Sequence, residues 1–163
     1  MNRFTILFLC LISSPITLAE TFYGLGFTQL NFKDSYVEAN AFTGVIGYQL
    51  GKRNFTLNPQ FRYMKTNQSN GDYQGDITLD NAFIFSLKGQ YTFNNGAYFF
   101  TSPAFGSFNY LQNSRFFYNE ESEFELGLNI GIGYEFNKYL STEITYDKFK
   151  RSKAVTAGIN FRW

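Results

Sequence analysis

The chain has no histidine, one cysteine and three prolines among its 163 residues. Without histidine, Ser-His and Cys-His nucleophile pairs cannot form, nor can a histidine-built metal site. Cys10 lies in an N-terminal apolar run, so the rest of the chain has no thiol to form a disulfide or hold a metal. Beyond Ala19 no apolar stretch approaches the ~20 residues that a membrane-spanning helix needs. Charge of one sign is missing as well. Arg3 is the only charged side chain in the first 19 residues, and the remainder carries 13 basic and 13 acidic side chains, a balance that does not favour nucleic acid. No calcium-loop spacing is present. These absences predict a protein with no cofactor, no metal and no enzymatic activity. The nearest thing to an acid-base pair, Glu143 and Asp147, shares one strand face without the pattern of a substrate cleft.

Aromatic residues are abundant, with 21 Phe and 12 Tyr, or 21% of the chain with Trp included. Before they can be interpreted, the N-terminus must be set apart. Arg3, the apolar run from Phe4 to Ile12 and the Thr17-Leu18-Ala19 end form the pattern of a secretory signal cut before Glu20. Phe8 and Leu9 precede Cys10 where a lipoprotein site needs small residues, so no lipid anchor is expected. Residues 1–19 are therefore read as a signal peptide and residues 20–163 as one domain.

In that domain apolar and polar residues alternate with the two-residue period of strands. The last strand sets Val155, Ala157, Ile159, Phe161 and Trp163 against Ala154, Thr156, Gly158, Asn160 and Arg162. Seven segments before it fit the same template: 22–32, 41–50, the run from Phe55 to Tyr63, 79–93, 98–110, the run from Phe124 to Phe136, and the run from Leu140 to Tyr146. In the fifth, Phe99, Phe100, Phe105 and Phe108 occupy both parities, so its faces cannot be assigned; Pro59 in the third suggests a local irregularity or bulge. Gly51 to Asn54, Asn94 to Gly96 and Asn137 to Tyr139 are short connections, whereas Lys33 to Asn40, Lys65 to Thr78, Leu111 to Ser122 and Lys148 to Ser152 read as mostly longer polar loops. Short turns at one end and longer loops at the other, with an apolar face toward lipid, describe an eight-stranded antiparallel transmembrane β-barrel of the outer-membrane type. A soluble lipid-binding barrel would need the faces inverted, leaving far more apolar surface in water than the few hundred Å² such proteins tolerate.

Phe22-Tyr23-Gly24-Leu25-Gly26, Gly47-Tyr48-Gln49-Leu50, Gly131-Ile132-Gly133-Tyr134-Glu135-Phe136, Glu143-Ile144-Thr145-Tyr146 and Ile159-Asn160-Phe161-Arg162-Trp163 carry a resemblance to the small eight-stranded outer-membrane barrels of the OmpA/OmpX/Opa type. The resemblance implies a bacterial outer-membrane location, export through the cleaved signal, and a C-terminal assembly signal at Ile159, Phe161 and Trp163 for the barrel-assembly machinery. The family's final aromatic is usually Phe, and Trp163 departs from it.

Inward parity puts Arg62, Lys88, Glu125, Glu143, Asp147 and Arg162 in the lumen, with Asp80 and Glu135 as further members. Eight-stranded barrels have interiors just wide enough for side chains, so these charges are expected to pair as a structural network rather than to form an ion path. Lys148, Lys150, Arg151 and Lys153 cluster at the fourth loop, at the level of lipopolysaccharide phosphates, and are candidate lipopolysaccharide contacts. In the third loop Arg115, Phe116, Phe117 and Tyr118 are either adhesive anchors or interfacial residues. The expected protein is a monomer whose partners are outer-membrane lipid and lipopolysaccharide, with a host or cell-surface ligand as a further candidate. By the resemblance it supports envelope integrity or adhesion by presenting its loops. The alternative is a narrow channel for small or apolar solutes, as in OmpW-like barrels, for which Gly127, Gly131, Gly133 and Gly158 would leave a lumenal gap.

Overall fold

The computed structural model describes residues 20–32, 38–51, 54–70, 76–114 and 117–163; the segment 1–19 read as a signal lies outside them, as do Arg115 and Phe116. Eight strands, β1 (Glu20–Phe32), β2 (Glu38–Gln49), β3 (Phe55–Asn70), β4 (Asp76–Thr92), β5 (Ala97–Ser114), β6 (Phe117–Asn137), β7 (Leu140–Phe149) and β8 (Ser152–Arg162), follow one another around a closed antiparallel barrel. β1 and β8 close it, pairing from Phe22↔Arg162 to Phe32↔Ser152. The Trp163 backbone N–H donates to the Thr21 carbonyl at 2.9 Å and continues the seam to the last residue.

The short turns have the chemistry that tight reversals need. Gly51 and Gly96 sit at φ 109° and 86°, where other residues are strained. The Asn95 side-chain carbonyl accepts from the Ala97 N–H at 3.1 Å, and that of Asn137 from the Tyr139 and Leu140 N–H groups at 2.8 and 3.0 Å.

At the other end the strands run further than expected. β3 reaches Asn70 and β4 starts at Asp76, while β5 and β6 stay paired up to Ser114↔Phe117. Most of the expected third loop is thus hairpin, and most of the second is strand, β3 beyond Lys65 pairing with β2 and β4 before Asn81 pairing with β5. The fourth connection is equally tight, with only Lys150 and Arg151 between β7 and β8.

Pro59 produces the local irregularity expected of it, as an interruption of the ladder and not as a bulge. The β2–β3 register is the same at Gly47↔Gln60 and Leu50↔Leu57, with the ladder interrupted between those pairs, and its register shift lies further out, between Asn40 and Ala41. Pro103 likewise breaks the β4–β5 ladder between Ser86↔Ala104 and Gly89↔Thr101 while pairing with Leu128 on the other side. Each proline removes one donor without adding a residue, so the register is kept.

Alternation decides what faces lipid. Leu25, Phe124, Leu126 and Ile132 are 64–76% exposed, and this outward set forms a continuous apolar band. Aromatic contacts flank it, among them Tyr23 with Phe161 (centroids 5.6 Å), Tyr91 with Phe99 (5.8 Å), Tyr134 with Phe136 (5.2 Å) and Phe105 with Phe124 (5.7 Å). The unassigned β5 is resolved too: Tyr98, Phe100, Ser102, Ala104 and Phe108 face inward, and Phe99 and Phe105 outward.

On β6, Ile130 faces lipid midway between Phe124 and Phe136, while its neighbour Asn129 is fully buried. Ile130→Arg is expected to cost about 2–4 kcal/mol at the bilayer midplane, and Asn129→Ala far less. Urea unfolding in lipid vesicles measures both, and equal losses would mean the facing is wrong.

Candidate functional site

The candidate site is the lumen together with the two hairpins above it. At the short-turn end, Arg162 pairs with Glu135 at 2.7 Å. Glu135 also accepts from the Gln90 amide at 3.2 Å, and Gln90 in turn accepts from Asn58 at 3.2 Å.

One level further in, the Lys88 ammonium is 2.8 Å from Glu143 and is enclosed by the rings of Phe22, Tyr98 and Phe100, at 5.7, 5.8 and 4.5 Å from their centroids. Ring faces are electronegative, so the enclosure partly replaces the water that this cation has lost. The Tyr98 hydroxyl lies 3.1 Å from the Thr142 carbonyl and 3.3 Å from Glu143.

Across the middle, Arg62 grips Asp147 with two bonds of 2.8 and 2.9 Å, both side chains 3% exposed or less. A two-pronged guanidinium-carboxylate contact is the geometry in which a buried pair best offsets its desolvation. Thr28 bonds Thr43 at 2.5 Å and Thr156 at 2.7 Å, linking β2, β1 and β8.

Above these polar layers lies an apolar one. Leu30, Ala39, Ala41, Met64, Leu79, Ala82, Ile84, Ala104, Phe108, Phe149 and Ala154 form one buried cluster, with Phe108 and Phe149 edge-on at 4.9 Å. This layer was not anticipated from the sequence. Its members are spread over seven strands, one to three on each, and the only available signal was an apolar residue at inward parity near the outer end of each.

Of the charges assigned inward, the structure brings Arg62 to Asp147, Lys88 to Glu143 and Arg162 to Glu135. Glu143 and Asp147 are thus each held by a different cation, which leaves no carboxylate pair for acid-base work. Glu125 stands apart, near the β7–β8 turn, where it accepts from the Arg151 backbone N–H at 3.2 Å. Asp80 is not in the lumen. The register shift between Leu79 and Asn81 turns it outward, where it bonds Lys65 at 2.6 Å.

The glycines read as a gap are covered. A Cβ at Gly131 would stand 2.3 Å from Phe100, at Gly133 2.2 Å from Tyr98 and at Gly127 2.4 Å from Phe149. The rings lie flat on the glycine backbones and fill the volume that the missing side chains leave. At Gly158 the nearest atom is the Leu25 carbonyl at 3.3 Å, and the inner space beside it is about 10 Å³. That is roughly one water molecule by the ~10–15 Å³ criterion.

Lys148, Lys150, Arg151 and Lys153 are exposed at the β7–β8 turn, with Arg151 paired to Glu123 at 2.5 Å. Ile159, Phe161 and Trp163 share the lipid face at the barrel's closing edge, and Trp163 is 79% exposed. Phe117 and Tyr118 belong to β6.

No family model matches the sequence, and no curated protein matches it. Solved structures do match its shape. Ail, the attachment invasion locus protein of Yersinia pestis, crystallised with the heparin analogue sucrose octasulfate, is 14% identical with a TM-score of 0.63, over 89% of this chain and 99% of that one. The N-terminal β-barrel domain of Pseudomonas aeruginosa OprF is 14% identical with a TM-score of 0.60, covering 87% and 97%. Neisserial surface protein A is 11% identical with a TM-score of 0.56, covering 89% and 97%. The chain has the fold of the small eight-stranded outer-membrane barrels. At these identities the likeness concerns the fold alone, and the lumenal pairs and outer hairpins are this chain's own.

Removing one partner of the Arg62–Asp147 pair strands a buried charge. Asp147→Ala is expected to lose about 3–5 kcal/mol of refolding stability, and Arg62→Met with Asp147→Leu much less. A double-mutant cycle in urea with Arg62→Met, Asp147→Leu and both together measures the coupling; a double-variant loss equal to the sum of the single losses would show that the pair is not coupled.

Proposed function

We propose that this chain is a sealed, non-enzymatic barrel of the bacterial outer membrane, exported by a signal peptide at residues 1–19, that presents its β3–β4 and β5–β6 hairpins outside the cell for adhesion or envelope integrity. The observation that carries this reading is the filled lumen. Paired charges and an apolar layer occupy it from end to end among the described residues, so what the barrel offers its surroundings is its outer rim.

The rim is substantial. From Phe105, a lipid-facing residue, β5 continues nine residues to Ser114, about 30 Å along the strand at ~3.3 Å per residue. The β6 sequence includes Asn119-Glu120-Glu121-Ser122-Glu123, an acidic run whose charge suits a cationic surface partner. The barrel below supplies rigidity, with Arg62, Lys88 and Arg162 and their carboxylates acting as cross-braces between β3, β4, β6, β7 and β8. Ile159, Phe161 and Trp163 serve as the assembly signal, the lysine-rich β7–β8 turn meets lipopolysaccharide phosphate, and the protein works as a monomer.

Planar-bilayer recording of the refolded residues 20–163 is expected to show a silent membrane. Discrete, reproducible openings would overturn the sealed-barrel reading in favour of a channel. Replacing residues 110–121 by a two-residue Asn-Gly turn is expected to leave heat-dependent gel migration intact and to reduce attachment of expressing bacteria to host cells. Unchanged attachment, with intact envelope resistance to detergent, would remove the hairpin from the function.

A further inference from the structure

The lipid-facing wall is not uniformly convex. Between β6 and β2 it contains an open depression of about 880 Å³, whose lining includes Leu25, Phe27, Phe42, Ile144, Ala157 and Ile159. A small outward residue lies within it. Ala157 on β8 stands directly between Ile144 on β7 and Phe27 on β1. Phe27 packs edge-on against Phe42 at 6.0 Å and builds one wall. The volume falls within the ~300–1,000 Å³ of pockets that hold small-molecule ligands, and its lining is almost wholly apolar.

A second feature lies on the same two strands. Lys148 on β7 and Lys153 on β8 are register partners, exposed and on the outward parity shared with Ile144 and Ala157. Like charges directly opposite on one face repel each other. Their next neighbours across the sheet are Leu128 and Asn31, neither of them acidic. Among the described residues neither lysine has an ion-pair partner, whereas the nearby Arg151 is held by Glu123. An anion between the two ammonium groups would relieve that repulsion. Lys153 precedes Ala157 by four residues on β8, about 13 Å along the strand at ~3.3 Å per residue. That separation suits a molecule with an anionic head at the membrane surface and an apolar tail within the hydrocarbon.

We propose that this wall binds one phosphorylated, acylated glycolipid of the outer leaflet, its phosphate bridging Lys148 and Lys153 and one acyl chain lying over Ala157. The proposal rests on the reading that the lysine-rich β7–β8 turn meets lipopolysaccharide phosphate, and it adds the groove that makes the contact selective. The phosphate supplies charge-assisted bonds to both ammonium groups, and the chain covers apolar surface that disordered lipid fits poorly.

The test is native mass spectrometry of the refolded barrel with purified lipid A, and with phosphatidylglycerol as the competing phosphate lipid. Lys148→Gln with Lys153→Gln is expected to lower the retained lipid A about tenfold, the equivalent of one charge-assisted contact. Ala157→Phe fills the groove and is expected to lower it several-fold while heat-dependent migration stays normal. If that variant does not fold, Ala157→Ile makes the same test with less added volume. Loss on lysine substitution alone would leave a headgroup contact and overturn the groove. Loss on groove filling alone would overturn the phosphate bridge. No loss in either variant would overturn both the site and the phosphate reading of the turn, without touching the sealed-barrel reading. Equal retention of phosphatidylglycerol would overturn the assignment to glycolipid.

Discussion

Hydrocarbon offers no partner to a backbone N–H or C=O, and this constraint organises the molecule. A sheet can meet it only by closing, so β1 must find β8, and the seam runs to the Trp163 N–H on the Thr21 carbonyl. Closure with eight strands then sets a narrow interior. Everything inside must fit that width, and every inward charge must find its partner across it. The outward face has the opposite task, to be apolar everywhere that lipid touches it.

The narrow interior is filled in two ways. Toward the short-turn end the charges are paired across the lumen, and Lys88 has aromatic rings around its remaining surface. Toward the outer end Leu30, Met64, Ile84, Phe108 and Phe149 close the lumen by packing, and the buried Glu125 there accepts from the Arg151 backbone N–H in place of a cation across the lumen. The rings that lie on Gly127, Gly131 and Gly133 serve both ends of this arrangement, since glycine lets a ring approach the wall and the ring replaces the missing side chain. A filled lumen and a long β5–β6 hairpin belong to the same closed sheet, the one set by its narrow width and the other by strands that pair beyond the apolar band.

The outer wall has its own economy of small residues. Ala157 is ordinary in composition and pattern, yet it stands between Ile144 and Phe27 within a hollow of the outer surface. The opposed lysines at the top of the same strands give that hollow a polar end. Neither feature is legible alone. They join because β7 and β8 are adjacent and antiparallel.

Local alternation was enough to establish eight strands, their order, the ends at which the short turns lie and the facing of seven of them, because a two-residue period needs no knowledge of the partner. The inward parity of Arg62, Lys88, Glu143, Asp147 and Arg162 was equally local. Which of these charges meet was not. Arg62 and Asp147 are 85 residues apart, and only the stagger of the closed barrel brings β3 and β7 to the same height across the lumen. The β5 facing needed its neighbours, since Phe100 and Phe108 are inward only because they cover Gly131 and pack on Phe149. Asp80 left the lumen at a register shift that no single-strand pattern encodes, and the third loop became hairpin because β5 and β6 had each other to pair with. Periodicity lives along one strand and is written in the sequence; pairing, height and closure are relations between strands, and those exist only once the barrel is formed.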